Sequence, residues 1–200
     1  MRNPVRPLFA LIYCLLACIP LRGGDPKAWV LVPQPKFLAH KVSQPIAGSK
    51  ETVLAVARWT DIGPDFVTAE EWKEAGLDEK KIAASTRELA VKWLNEVKPQ
   101  LVRNDRKVIE FALLKSDRVP IAAAVLAPEF LKEYEQVFGP KVIVIMPNLY
   151  TVFVFPGVAG NHHAYSDLIL AAWHSKAPKV SREVFEVTAG GIRAVGIFEE

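Results

Sequence analysis

KVIVIMPNLYTVFVF, residues 141–155, is the stretch whose reading decides the fold. Two β-branched and aromatic runs, KVIVIM and LYTVFVF, flank Pro147 and Asn148, and this pattern predicts a hairpin with its turn on that pair. Both runs are apolar throughout rather than alternating, which predicts strands covered on both faces. Downstream, EVFEVTAGGIRAVGIF at 183–198 reads as two further short strands around Gly190 and Gly191. Adjacent hairpins require antiparallel pairing. Together with the helices below, they predict an α+β fold, an antiparallel or mixed sheet with helices packed on it, in a single domain at residues 51–200.

Working outward from the hairpin, PEFLKEYEQVFG at 128–139 repeats Phe130, Leu131, Tyr134, Val137 and Phe138 at helical spacing. This predicts a helix restarted at Pro128 after an apolar run at 121–127 and stopped by Gly139-Pro140. Thr68 and Glu71 have the spacing of a capping box, predicting a short helix over 69–75 that ends at Gly76. Asp78 then serves as the N-cap of a longer amphipathic helix carrying Ile82, Leu89, Ala90, Trp93 and Val97 on one stripe and bounded by Pro99. TVLAVARW at 52–59 reads as an edge strand, and KVIEFALLK at 107–115 as another strand.

The amino-terminal segment differs in kind. Arg2 and Arg6 precede an apolar run from Pro7 to Leu21, and no acidic residue occurs before Asp25. That layout predicts an export signal at 1–24. The run of 15 residues is shorter than the roughly 20 needed to cross a bilayer, which favours a cleaved leader. Arg22, directly behind the run, leaves a retained anchor as the alternative. LLAC at 15–18 resembles a bacterial lipobox, implying a lipid on Cys18, with ordinary cleavage nearer Gly24 as the alternative. The expected location is therefore periplasmic or envelope-associated. From Asp25 to Lys50, four prolines (Pro26, Pro33, Pro35, Pro45) without periodicity read as an extended lead-in.

The leader also carries the excess charge. Removing Arg2, Arg6 and Arg22 from the 25 basic residues leaves 22, matching the 22 acidic ones. A domain of zero net charge has no footprint for nucleic acid. Cys14 and Cys18 are the chain's two cysteines, so the remainder has no disulfide, thiol nucleophile or thiolate metal site. Membrane attachment is expected only through the leader or a lipid on Cys18.

FVTAEEWKEAGLDEKKIAASTRELAVKWL, VPIAAAVLAPEFLKEYEQVFGPKVIVIMPNLYTVFVF and SREVFEV together resemble the YtpQ-like family of bacterial proteins of unknown function. A short Trp-containing helix, a longer helix, an Ala-rich helix and an apolar hairpin broken by proline follow in the same order, across 61–196. The chain departs from that pattern at Glu88, where the family often has asparagine, and after Pro147, where no charge follows. The resemblance implies the fold class and no activity.

Candidate chemistry centres on GNHHAYSDLILAAWH at 160–174. On one continuous helix over 161–175, capped by Asn161, the apolar side would comprise Ala164, Tyr165, Leu168, Ile169, Ala171 and Ala172. His162, His163, Ser166, Asp167, Leu170, Trp173 and His174 would then share the face turned to water. His163 and Asp167, four apart, have the spacing to touch one metal, but His174 lies about 10 Å further along the axis, and His40 is in the lead-in. The plainer reading is a solvated helix face, with His162, His163, Asp167, Leu170, Trp173 and His174 as a candidate ligand or partner surface because Leu170 and Trp173 interrupt it. No G-x-S-x-G elbow, P-loop or dinucleotide fingerprint occurs. No cofactor is expected. The function predicted is a non-catalytic binding or interaction module at the cell envelope, meeting a protein or small ligand. The alternative is a metal-dependent or other hydrolase built around His163 and Asp167.

Overall fold

The computed structural model describes residues 29–158 and 161–198. The predicted leader, with Cys18 and Arg22, lies outside the described residues. The architecture is α+β in one domain, with two antiparallel sheets and helices packed between and upon them.

Strand β1 (Trp29–Pro35) is followed by a 3-10 turn at Lys36–Leu38, then β2 (Ser43–Pro45), β3 (Thr52–Thr60) and β4 (Gly63–Phe66). β3 is the centre of this sheet, with β1 along one side and both β2 and β4 along the other. Helices α1 (Ala69–Glu74) and α2 (Glu79–Glu96) lead to β5 (Gln100–Arg103) and β6 (Ile109–Lys115). Helices α3 (Ile121–Ala124) and α4 (Phe130–Phe138) precede the hairpin β7 (Lys141–Asn148) and β8 (Thr151–Pro156). A 3-10 turn at Asn161–Tyr165, helix α5 (Ser166–Trp173) and strands β9 (Glu183–Thr188) and β10 (Gly191–Ile197) complete the order. The larger sheet runs β10-β9-β7-β8-β6-β5.

The hairpin's unbroken apolar character has a direct cause in this arrangement. Val142, Val144, Met146, Val152 and Val154 point into the main core, shared with α2, α3, α4 and the smaller sheet. Ile145, Phe153 and Phe155 point the other way, into a second cluster with Phe111, Ile169, Val184 and Phe198. The period-2 alternation of a strand thus feeds two cores, and both kinds of position must be apolar. Each buried aromatic or aliphatic side chain there contributes roughly 1.5–3 kcal/mol.

Several expectations shift by a definite physical cause. The turn of the hairpin falls on Leu149 and Tyr150, while Pro147 and Asn148 belong to β7 at a register shift between Ile145 and Asn148. Proline is tolerated at such a bulge because no ladder hydrogen bond is asked of it there. The Asn148 Oδ1 accepts from Tyr150 N at 3.0 Å, forming the turn that the dipeptide was expected to form by itself. TVLAVARW is a central strand rather than an edge, since its partners come from the segments on either side of it.

The largest correction concerns the lead-in at 25–50. Trp29–Pro35 is a strand buried along its whole length, paired with β3 from Trp29↔Arg58 to Pro35↔Thr52. Pro33 and Pro35 fit because β1 lies at the sheet's rim, where an absent N–H breaks no second ladder. Its outer side is served by α2: Thr86 Oγ1 accepts from Leu31 N at 2.9 Å and Ser85 Oγ donates to Trp29 O at 2.5 Å. Thr86 is accordingly buried on the stripe with Ile82, Ala90, Trp93 and Leu94. The lead-in also touches the other sheet at Ala47, whose carbonyl accepts from Ala194 N at 2.8 Å. Gly48 is needed beside it: φ is +73° and a Cβ there would stand 2.6 Å from Ala194 O.

The caps of α1 and α2 behave as the sequence predicts. Thr68 Oγ1 accepts from Glu71 N at 3.2 Å while Thr68 N donates to Glu71 Oε2 at 2.9 Å, and Asp78 Oδ1 accepts from Lys81 N at 2.8 Å. In α4, Tyr134 is only 2% exposed, between Phe130 and Phe138, and its hydroxyl has no hydrogen-bond partner among the described residues. Burial, with the Glu133 charge adding to it, pushes that phenol well above its ordinary pKa. Since an unmatched buried hydroxyl costs about 1–3 kcal/mol, Tyr134→Phe is expected to raise stability by about 1 kcal/mol in chemical denaturation. A loss instead would reveal a partner for the hydroxyl.

Candidate functional site

The histidine segment does not form one continuous helix. Asn161–Tyr165 is 3-10 and α5 begins at Ser166, with Tyr165 at its N-cap in a non-helical conformation (φ −113°, ψ 21°). Three residues per turn instead of 3.6 changes the phase of everything before Ser166. In the fold Tyr165, Ile169, Leu170 and Ala172 face the second core, whereas Ala164, Leu168 and Ala171 are exposed.

The six residues of the candidate ligand or partner surface are therefore divided. Leu170 is a correction: it packs into the second core and interrupts no polar surface. His162 is half-buried, edge-on to Phe155 at 6.1 Å and 4.2 Å from the His163 ring. Burial first, and the neighbouring imidazole second, lowers its pKa from the ordinary 6.5. His163 is exposed and stacks on Phe198 at 6.4 Å, while Asp167 and His174 are exposed on α5 and just after it. Among the described residues, no three His, Cys, Asp or Glu side chains lie together in a way that could hold a metal ion. The His40 ring lies against Phe66 instead, 3.9 Å between centroids.

Trp173, one of the six, lines a cleft of about 640 Å³. The wall opposite it comes from the end of β1 and the following turn (Lys36, Phe37) and from the loop before β3 (Lys50, Glu51). The near wall is the segment Lys179–Arg182 leading into β9. Lys179 Nζ stands 4.7 Å from the Trp173 ring centroid and the Arg182 guanidinium 6.0 Å from it. Such contacts hold cations beside an aromatic body without neutralising them. Arg182 also reaches Glu51 at 4.0 Å, the one carboxylate in the wall. Among the described residues no carboxylate lies within ion-pair distance of Lys36, Lys50 or Lys179.

Polar groups tie segments of the cleft wall together. Glu183, 3% exposed, accepts from Ser49 Oγ at 2.5 Å, Thr52 Oγ1 at 2.7 Å, Lys50 N at 2.7 Å and Glu51 N at 3.3 Å. The Thr52 and Ser181 hydroxyls are 2.6 Å apart, and Ser181 Oγ accepts from Glu183 N at 2.9 Å. Burial acts to raise the Glu183 pKa, but the bonds from Ser49, Thr52 and the two backbone N–H groups outweigh it and hold the carboxyl below its ordinary 4.5. This carboxylate therefore staples the strip bearing Lys50 to the strip bearing Arg182. On the other side, Asn148 Nδ2 donates to Ala172 O at 2.8 Å, fixing the carbonyl next to Trp173. Val180 N and Ser181 N donate to Pro147 O and Met146 O at 3.1 and 3.0 Å, tying the near wall to the bulge in β7.

Sequence reasoning singled out Trp173 and missed the four cations. Their positions, 36, 50, 179 and 182, share no periodicity, and only the pairing of β1 with β3 and the return of the chain into β9 bring them together. One signal was present: KAPKVSR at 176–182 concentrates positive charge right after an exposed-looking tryptophan. The fold and this site define an α+β domain with a cationic, aromatic-walled cleft. No family model matches the chain, and no curated protein and no solved structure matches it.

Proposed function

We infer that the chain is an exported, non-catalytic binding module of the bacterial cell envelope, and that its site is the Trp173 cleft. The ligand class is a small anion carrying a planar or apolar body. The observation that carries this reading is the juxtaposition of Trp173 and Phe37 with Lys36, Lys50, Lys179 and Arg182 around one concave space. Ligand sites of this type combine an apolar wall with a few convergent polar groups that fix orientation. Binding rather than turnover is supported by the composition of the wall: its one carboxylate is near Arg182, and its Ser181 hydroxyl is engaged by Thr52 and Glu183 N. The layout of residues 1–24, which reads as an export signal, supports the location.

Naphthalene-2-sulfonate is a suitable probe, with sulfate as the charge-only and naphthalene methanol as the body-only control. The full chain is expected to bind the naphthalene sulfonate more tightly than either control in calorimetry. Trp173→Ala and Lys179→Glu should each weaken it about tenfold, the scale of a desolvated cation–aromatic contact. His163→Ala and Asp167→Ala should leave it unchanged. Equal binding by the Trp173→Ala chain would refute the cleft as the site.

A further inference from the structure

We propose that the turn at residues 36–41 docks the domain on an anionic lipid surface, with Phe37 and Leu38 entering the boundary between headgroups and acyl chains. The cations around the cleft then meet lipid phosphates. This rests on the reading of the cleft as an anion site, and it adds a contact from the folded part to the membrane attachment expected of the leader.

Phe37 is 76% exposed and Leu38 49%, neighbours at the tip of one turn, while both hydrophobic cores are closed without them. The tip is built to be presented and not to wander. Pro35 sets the entry, Ala39 takes a left-handed conformation at φ 50°, and Ala39 N donates to Lys36 O at 3.0 Å. Lys36 N donates to Glu51 O at 2.7 Å on one side, and the His40 ring lies against Phe66 on the other. A wedge already fixed in place loses little conformational freedom when it inserts.

The charge around it selects the partner. Lys36 and Lys41 flank the wedge in sequence, and Lys50, Lys179 and Arg182 share the cleft with Phe37. Apolar side chains inside a group of cations match the layering of a membrane interface, where acyl chains lie beneath a sheet of phosphates. A second copy of the same face would bring like charges together. A polynucleotide would engage the cations but give Leu38 nothing to enter. Because the part after the leader carries zero net charge, the attraction is local and acts within about a Debye length, roughly 10 Å.

The test uses the full chain with vesicles of equal parts phosphatidylglycerol and phosphatidylcholine, against vesicles of phosphatidylcholine alone. Amide exchange of residues 37–41 reports on the turn itself, so insertion of the leader does not enter the measurement. Exchange there is expected to slow on the anionic vesicles and not on the neutral ones, and added salt should reverse the slowing. Leu38→Asp should weaken the anionic-vesicle effect about tenfold or more, as expected for losing a buried leucine. Lys41→Glu should weaken it about fivefold or more. Unchanged exchange of the turn on anionic vesicles would overturn the docking proposal. Leu38 is not part of the cleft wall, so Leu38→Asp should still bind naphthalene-2-sulfonate. Loss of vesicle protection in Leu38→Asp with probe binding intact supports docking by itself, unchanged protection in that variant sinks it, and insensitivity of the probe to Trp173→Ala sinks the cleft.

Discussion

A chain beginning at residue 51 is expected to show no cooperative unfolding transition, whereas one beginning at residue 25 should unfold cooperatively in urea. The shorter chain lacks β1, and with it Trp29, Val30, Leu31 and Val32, all members of the main core. At roughly 1.5–3 kcal/mol for each buried apolar side chain, the loss is on the order of 10 kcal/mol, comparable with the whole stability of a typical domain at about 5–15 kcal/mol. It would also strip β3 of β1 along one side and of β2 along part of the other, and remove the backbone groups that Thr86 and Ser85 of α2 bond. Circular dichroism and amide exchange of β3 give the readout. A cooperative transition in the shorter chain would mean that β1 is an accessory strand.

Glu183→Ala should lower stability by about 3 kcal/mol at neutral pH, because it removes the acceptor of two hydroxyls and two backbone N–H groups at a buried to part-buried place. Glu183→Gln should cost less. Its carbonyl oxygen can still accept from Lys50 N and Glu51 N, and its amide can donate to the hydroxyls of Ser49 and Thr52, which rotate to accept. The pH dependence separates the two roles of the residue. Its folded pKa is depressed below the ordinary 4.5, so the stabilisation it gives is complete above that value. Between the unfolded and folded pKa the unfolded state binds more protons, and stability falls as pH falls through this window. The Gln variant should lack that part of the acid limb in denaturation curves measured down the pH scale. An identical acid limb in both proteins would show that the carboxylate is not held ionised by its four donors. Because Glu183 links the strips carrying Lys50 and Arg182, the Ala variant should also bind naphthalene-2-sulfonate more weakly at a pH where it remains folded.

The elements that could be read from sequence were those whose signals are local. A capping box over Thr68 and Glu71, an Asp78 N-cap and an amphipathic stripe from Ile82 to Trp93 are complete within a few turns of chain. The histidine segment was harder because its register depends on where 3-10 geometry gives way to α at Tyr165 and Ser166. That place is set by what the ring of Tyr165 packs against: Phe111, 4.6 Å away, with its hydroxyl donating to Glu110. Those partners are some 50 residues earlier in the chain, and no periodicity in 161–175 contains them. Leu170 and His162 were both placed on the face turned to water for the same reason.

By itself the sequence determined that this protein is α+β, that its adjacent strands pair antiparallel, and where α1 and α2 start, because hydrophobic period and cap chemistry act over distances of a few residues. Only the tertiary structure decided that a proline-rich stretch is a core strand, since a rim position is what excuses the missing N–H groups of Pro33 and Pro35. It likewise decided that Lys36, Lys50, Lys179 and Arg182 surround Trp173, because charges far apart in the chain converge only when two sheets and the buried Glu183 carboxylate draw their loops together.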